Sequence, residues 1–394
     1  MSSTTKSGLP KQPLSLNDPR IRGLIYQVLA LAGVAFVVWY LVTNTLTNLE
    51  ALHIATGLGF LDREAGFAIG ESVIAYSPAD TYLRALIVGV LNTLRVALIG
   101  IVLATVLGTI IGVSRLSQNW LLAKFASIYV ETVRNIPLLL QLFVWYAVIT
   151  EVMPGPREAL NPLTGVFISN RGIRFPTPPD ATAYFYGAIG FALGIALAIA
   201  LTRWARNRLY ATGRTFPSGW AGMGLILGLP ILGWLIGGAP LTLDTPELRG
   251  FNFVGGGTIS PEFAALLLGL TIYTAGFIAE IVRSGIMAIG KGQTEAALSL
   301  GLTRAQNLRL IVLPQALRII IPPMTNQYLN LTKNSSLAVA IGYPDIVSIA
   351  NTTLNQTGQA IEGVGIIMMV FLTISLGIAA FMNWYNKHIA LVER

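Results

Sequence analysis

The sequence contains no cysteine, which excludes disulfides and thiol chemistry. Its two histidines, His53 and His388, lie far apart in the chain, which argues against a histidine metal site. Charge is scarce as well. Charged residues make up 11% of the 394 residues and hydrophobic ones 54%, where a soluble domain carries about 25% charged residues. The composition is that of an all-α integral membrane protein. Nucleophile elbows, paired catalytic carboxylates and metal-ligand spacings are also missing, so a membrane-bound enzyme has no reactive constellation to work with. The net charge of +8 is explained better by the positive-inside rule than by nucleic acid.

What the chain does have is apolar runs of membrane-spanning length. A largely polar, Pro/Ser-containing stretch of twenty residues with Lys6, Lys11 and Arg20 precedes the run 21–42. That run has no short apolar region ending at a small-residue cleavage site, so it reads as a retained first span, not a signal peptide. Spans are expected near 22–43, 83–113, 128–152, 183–202, 218–238, 263–284, 319–341 and 364–385, about eight in all. The third is entered through Glu131, Arg134, Asn135 and Pro137. Gly108-x3-Gly112 in the second is a small-residue packing motif, and Gly224-x3-Gly228 in the fifth reads the same way. The proline-rich stretch 153–182 reads as an exposed loop.

Charge placement tests this topology. With the N-terminus in the cytoplasm, inner segments and inner span ends hold 18 of the 26 Lys and Arg, and outer ones hold 6. Of the 18 acids, 13 fall outside or at outer span ends. The asymmetry supports a multi-pass protein with both termini cytoplasmic. It puts the polar insert 295–314 on the cytoplasmic side, where ATP is.

That insert, EAALSLGLTRAQNLRLIVLP, has the local grammar of helix, break, helix. A carboxylate, Glu295, is expected in the first turn, where the helix dipole favours it. Gly301 supplies the left-handed residue that ends the first helix. Thr303 with Gln306 forms a capping box that starts the second, and Pro314 is expected to interrupt it. Just before it, 285–292 (GIMAIGKG) nearly matches a phosphate-binding loop. It fails on chemistry, because Gly292 stands where the Mg²⁺-ligating hydroxyl belongs and a membrane helix, not a strand, precedes it.

The pattern E-A-A-x3-G-x9-I-x-L-P, carried by Glu295, Ala296, Ala297, Gly301, Ile311, Leu313 and Pro314, resembles the cytoplasmic coupling loop of the membrane subunits of bacterial ABC importers. Segments 129–143 (YVETVRNIPLLLQLF), 273–285 (YTAGFIAEIVRSG) and 330–345 (NLTKNSSLAVAIGYPD) resemble signatures of the polar and general L-amino-acid permeases of that family. The resemblance implies a five-helix permease core split between 83–152 and 262–390. An N-terminal tail (1–20), an extra first span with its loop (21–82) and an inserted two-span unit (153–261) lie outside it. That pattern of additions is similar to the general L-amino-acid and glutamate/glutamine/aspartate permeases. It implies an inner-membrane subunit that holds no cofactor and hydrolyses no ATP. Its partners would be an ABC ATPase dimer, a second permease subunit (a paralogue forming a heterodimer), a periplasmic amino-acid-binding protein and an L-amino acid, in a lipid bilayer and without nucleic acid. The rival reading, an ion-coupled secondary transporter, would want a paired inverted repeat with acids at the midplane; acids at membrane depth are few here.

Candidate path residues are suggested by polarity in weakly hydrophobic span seven. Asn326, Asn330 and Lys333 fall at i, i+4 and i+7 and share one face, with Asn334 and Ser335 beside them in the third signature. Such groups either line a wet path, with Lys333 near a substrate carboxylate, or stitch the span to a neighbouring helix. Arg95 lies mid-span, either as a functional group or as a snorkelling or acid-paired one. Gln141, one heptad beyond Arg134, is a further path candidate. Glu131 with Arg134 and Glu280 with Arg283 are expected to form i, i+3 ion pairs.

Overall fold

The computed structural model describes residues 19–51, 57–179 and 181–389. Residues 1–18 with Lys6 and Lys11, His53 and Arg394 fall outside that range. Among the described residues, seven helices are long and apolar enough to cross a membrane, or eight if one bent pair crosses as a single span.

Helix α1 (Pro19–Ala51) is exposed along its apolar run, with no buried position in Arg22–Thr45. The bundle begins with α2 (Tyr82–Ser114), capped by Thr81, whose hydroxyl accepts from the Arg84 N–H. The expected third span is broken. Helix α3 (Trp120–Asn135) meets α4 (Leu138–Ala147) at 105°, and α4 continues through a π turn at Val148–Val152. Pro137 forces the break, because the residue before a proline is pushed out of the helical region, and Ile136 is extended (φ −97°, ψ 127°).

The stretch 153–181 is not featureless. It supplies β1 (Leu160–Leu163), β2 (Val166–Ser169) and β3 (Gly172–Phe175). After the hairpin α5 (Thr182–Thr212) and α6 (Ser218–Ile236), β4 (Glu247–Arg249) pairs with β5 (Asn252–Val254), and β6 (Gly257–Ile259) returns to β3. The antiparallel sheet β1-β2-β3-β6 therefore clasps both ends of the inserted pair, and Phe167 stacks on Phe253 at 4.6 Å.

Helices α5 and α6 pack chiefly on each other. A Cβ at Gly190 would lie 2.3 Å from the Leu229 carbonyl oxygen, and one at Gly233 2.3 Å from that of Tyr186. The expected packing pair Gly224 and Gly228 does not serve this contact, since neither has a neighbour within 4 Å. Small-residue spacing marks a close approach, but only the helix rotation decides which small residues make it.

Helix α7 (Pro261–Met287) starts at the sheet under a Ser260 cap and runs parallel to α2. Here the expected motif is used. A Cβ on Gly108 would stand 2.7 Å from Ile278 Cβ, and one on Gly112 2.7 Å from the Ala279 carbonyl oxygen. After α8 (Lys291–Ser299) and α9 (Arg304–Asn307), α10 (Leu313–Asn334) returns antiparallel to α7 and ends in a 3₁₀ stretch at Ser335–Ile341. A short helix not expected from the sequence, α11 (Ile346–Thr357), packs on α2, and α12 (Ala360–Ile389) closes the bundle. Leu142, Leu266, Leu270, Ile278, Leu331 and Tyr343 form its buried centre.

Helix α1 and the α5–α6 pair stand where the two additional segments are expected, each packing little on the other helices. The chain is thus a mostly helical bundle with an N-terminal helix and a two-helix insertion outside its packed core.

Candidate functional site: a helical socket and a polar cavity

The two short helices α8 and α9 stand at the end of the bundle opposite the sheet. Helix α8 begins at Lys291, so Glu295 lies in its second turn and not in the first turn expected from the sequence; the helix starts as soon as Gly290 frees the chain from α7. Gly301 has φ +80°, and two hydrogen bonds close the α8 end around it. The Leu302 N–H donates to the Ala297 carbonyl at 3.2 Å, and the Gly301 N–H to that of Leu298 at 2.9 Å. This Schellman closure needs a left-handed residue at that position. The Thr303–Gln306 capping box is present in both directions.

Pro314 does not interrupt the second helix. The chain stays helical from Arg304 to Ile341, with a π turn at Leu308–Val312. A wider turn moves the carbonyl that a proline ring would otherwise strike, so the helix passes through. Ile311 and Leu313 sit on this continuous segment, and α9 is thereby a rigid extension of α10. Ala297 is 1% exposed and anchors α8, while Leu300 is 82% exposed and Leu298, Leu308 and Leu310 also stand free. Apolar side chains exposed on these short polar helices make this end of the bundle a candidate docking surface.

The end of the bundle beside α8 is tied by charge. Glu280 pairs with Arg283 at 2.6 Å, as expected from the i, i+3 spacing, and also with Arg115 from the end of α2. The matching expectation for Glu131 and Arg134 fails; among the described residues they form no ion pair, and Arg134 lies over the Phe277 ring at 5.0 Å.

Halfway along α7 a cavity of about 240 Å³ opens against α10, lined by Tyr273, Thr274, Phe277, Gln327, Asn330 and Asn334. A larger cavity of about 380 Å³, between α2, α7, α10 and α12, is lined mostly by aliphatic and aromatic side chains. The structure divides the expected polar face of α10. Asn330 and Asn334 join Gln327 at the polar cavity. Lys333 opens instead toward Ser336, Val347, Ile367 and Phe371, on the α11–α12 side. Asn326 is exposed and lines neither, and Ser335 is buried with its hydroxyl donating to the Thr332 carbonyl. Gln327 went unread in the sequence, although its i+3 and i+7 relation to Asn330 and Asn334 places it on their face.

Gln141 is spent on structure. Its Nε2 donates at 2.9 Å to the carbonyls of Val133 and Ile136, satisfying the C-terminus of α3 at the bend. Arg95 is spent too. Its Nη1 meets Glu71 Oε1 at 2.5 Å and its guanidinium lies 4.3 Å from the Phe263 ring centroid. Glu71 also accepts from Ser260 Oγ, the cap of α7, and its backbone carbonyl accepts from Asn92 Nδ2 at 2.9 Å. This strap joins the 57–81 loop to α2 and α7.

Beside the strap, Asp345 caps α11 by accepting from the Ser348 N–H at 2.8 Å. It is fully buried, and its second carboxylate oxygen has no hydrogen-bond partner. Burial lifts its pKa from the usual 3.8 to about 7. A carboxyl raised on folding prefers the protonated folded state, so stability falls as pH rises from about 4, the unfolded value, to about 7. The purified chain is therefore expected to melt at a higher temperature at pH 6 than at pH 8. Asp345→Asn, which keeps the cap, flattens that slope; an unchanged slope in thermal melts of the variant would rule out Asp345 as its origin.

A multi-span bundle with an exposed two-helix socket at one end and a polar cavity at its middle is built as a transport permease. The chain belongs to the family described as the binding-protein-dependent transport system inner membrane component, whose model matches residues 190–390. It is 49% identical over 380 residues, 96% of this chain and 95% of the relative, to the General L-amino acid transport system permease protein AapQ of Rhizobium johnstonii. It is 42% identical over 425 residues, 100% of this chain and 99% of the relative, to the Glutamate/glutamine/aspartate/asparagine transport system permease protein BztB of Rhodobacter capsulatus. A solved crystal structure of an amino acid ABC transporter with histidines is 20% identical, with a TM-score of 0.46, over 78% of this chain and 95% of that one.

Proposed function

We propose that this chain is the membrane permease of an importer for L-amino acids, driven by a separate ATPase that docks on α8 and α9. The observation that carries the reading is near full-length similarity to amino-acid permeases. It is supported by a socket whose Gly301 closure and exposed leucines suit a groove in a partner. Both termini and the socket lie in the cytoplasm on this reading, in keeping with the Lys and Arg distribution.

The amino acid passes along the polar cavity between α7 and α10. Gln327, Asn330 and Asn334 offer amide donors and acceptors that match both the carboxylate and the ammonium of an amino acid. Asn330 and Asn326 stand exposed on the chain alone. Amides facing hydrocarbon are costly, so a second permease subunit covers this face. The extra helices outside the core distinguish this chain from a minimal permease, which favours a paralogue as that partner. A periplasmic binding protein delivers the substrate at the sheet end, and closure of the ATPase dimer moves the α9–α10 lever to switch the cavity's access.

The test is reconstitution in proteoliposomes with the ATPase, the second permease and the binding protein. An L-amino acid with its binding protein is expected to stimulate ATP hydrolysis and drive its own uptake. Absence of that stimulation sinks the reading. Within it, Asn330→Ala is expected to lower uptake about tenfold, the loss of one good hydrogen bond, while ATP hydrolysis persists. Equal loss of both activities would place Asn330 in assembly and not in the path.

A further inference from the structure

The tip of the α5–α6 hairpin carries a concentration of positive charge that neither the core nor the socket uses. Helix α5 has 31 residues, about 46 Å at 1.5 Å per residue, against a hydrocarbon core of about 30 Å. Helix α6 has 19, about 28 Å. The excess length of α5 stands at the end away from the sheet, and it holds Arg203, Arg206 and Arg208. Arg214 lies in the turn after it. No acid occurs in 203–217. Among the described residues none of the four guanidiniums has a carboxylate partner.

Aromatic rings mark the level of the membrane interface at this tip. Trp204 packs edge-on against Phe216 at 5.5 Å and takes the Arg208 guanidinium on its face at 5.2 Å. Trp220, in the first turn of α6, is 80% exposed. Between the last turns of α5 and the start of α6 lies a concavity of about 330 Å³. Arg206, Thr215 and Ser218 supply its polar groups, the Thr202 hydroxyl being donated to the Ile199 carbonyl at 2.8 Å, and Leu209 and Phe216 its apolar wall. A rule of topology accounts for the sign of the charge. It does not account for a cavity in which a guanidinium and two uncommitted hydroxyls share a wall with apolar side chains.

We propose that this concavity binds the headgroup of an anionic phospholipid, with Arg206 on the phosphate, the hydroxyls on its remaining oxygens and the apolar wall against the glycerol and acyl stems. Guanidinium is suited to phosphate by geometry and weak hydration, and basic pockets between membrane helices are a recognised way of holding such headgroups. The hairpin, which packs little on the rest of the bundle, would thus be held by lipid as well as by its sheet.

The experiment is native mass spectrometry of the full chain released from micelles containing equal amounts of phosphatidylglycerol and phosphatidylethanolamine. The wild type is expected to retain phosphatidylglycerol preferentially, by about fivefold for each engaged arginine. Arg206→Gln brings the ratio near one. Arg206→Lys keeps the charge and membrane insertion and retains most of the preference. Should the glutamine variant fail to accumulate, Thr215→Ala with Ser218→Ala keeps every charge and is expected to lower the ratio about threefold. Equal retention of both lipids by the wild type overturns the proposal, and so does an undiminished ratio in the glutamine or alanine variant. Soluble glycerol phosphate is expected not to compete; displacement by it at concentrations comparable to the lipid would assign the cavity to a free phosphate and reject the lipid.

Discussion

Gly301→Pro is expected to abolish ATP-driven uptake while the chain still folds and inserts. Gly301 stands at φ +80° with open space around the position a Cβ would take, so the effect comes from backbone conformation and not from a clash. Alanine there meets the left-handed penalty of about 1–2 kcal/mol and is expected to weaken coupling. Proline is fixed near −65° and cannot enter that region at all; its cost in place is about 3 kcal/mol or more, about a hundredfold in the population of the docked geometry. The Gly301 N–H that closes on Leu298 is removed at the same time. The check is paired: uptake in proteoliposomes, and thermal melting of the purified subunit. Wild-type uptake by Gly301→Pro would mean that the α8–α9 bend carries no force. A collapse of the melting temperature would mean instead that the bend serves the fold of the whole bundle.

Gly108→Val is expected to destabilise the bundle strongly. Its Cβ would sit 2.7 Å from both Cβ and Cγ2 of Ile278 and 2.9 Å from the Ala275 carbonyl oxygen. Backbone cannot yield as a flexible side chain can, so α2 and α7 must separate. Overpacking of this kind costs about 1–3 kcal/mol and occasionally more. Arg115, at the C-terminus of α2, pairs with Glu280 on α7, so separation also strains a charged hydrogen bond worth about 1.5–3 kcal/mol. Gly224→Val is the matched control, because nothing lies within 4 Å of Gly224. Melting temperature and folded yield by size-exclusion chromatography read the difference. Equal melting temperatures for the two variants would contradict the close α2–α7 approach.

The sequence by itself determined the features that depend on neighbours along the chain. Apolar runs of spanning length were legible because the bilayer demands about 20 apolar residues wherever a helix crosses it. The α8–α9 socket was legible because a left-handed glycine, a capping box and an apolar periodicity are local instructions. Gly108 and Gly112 were legible as a close-packing pair, although their spacing alone did not set them apart from Gly224 and Gly228.

Tertiary structure decided what those side chains touch. Gln141, a path candidate by its heptad position, caps a 105° bend that exists because Pro137 cannot follow a helical residue comfortably. Arg95, polar at membrane depth, was ambiguous until the loop before α2 brought Glu71 to it. Lys333 and Asn330 share a helical face by spacing, yet α7 fills one side of that face and α11 and α12 the other, so they open into different cavities. Helical periodicity fixes the direction of a side chain to within a sector, and the partner within that sector is chosen by packing from elements far away in the chain. The socket was therefore written in the chain, while the polar cavity and the detached hairpin came into being only when the helices packed.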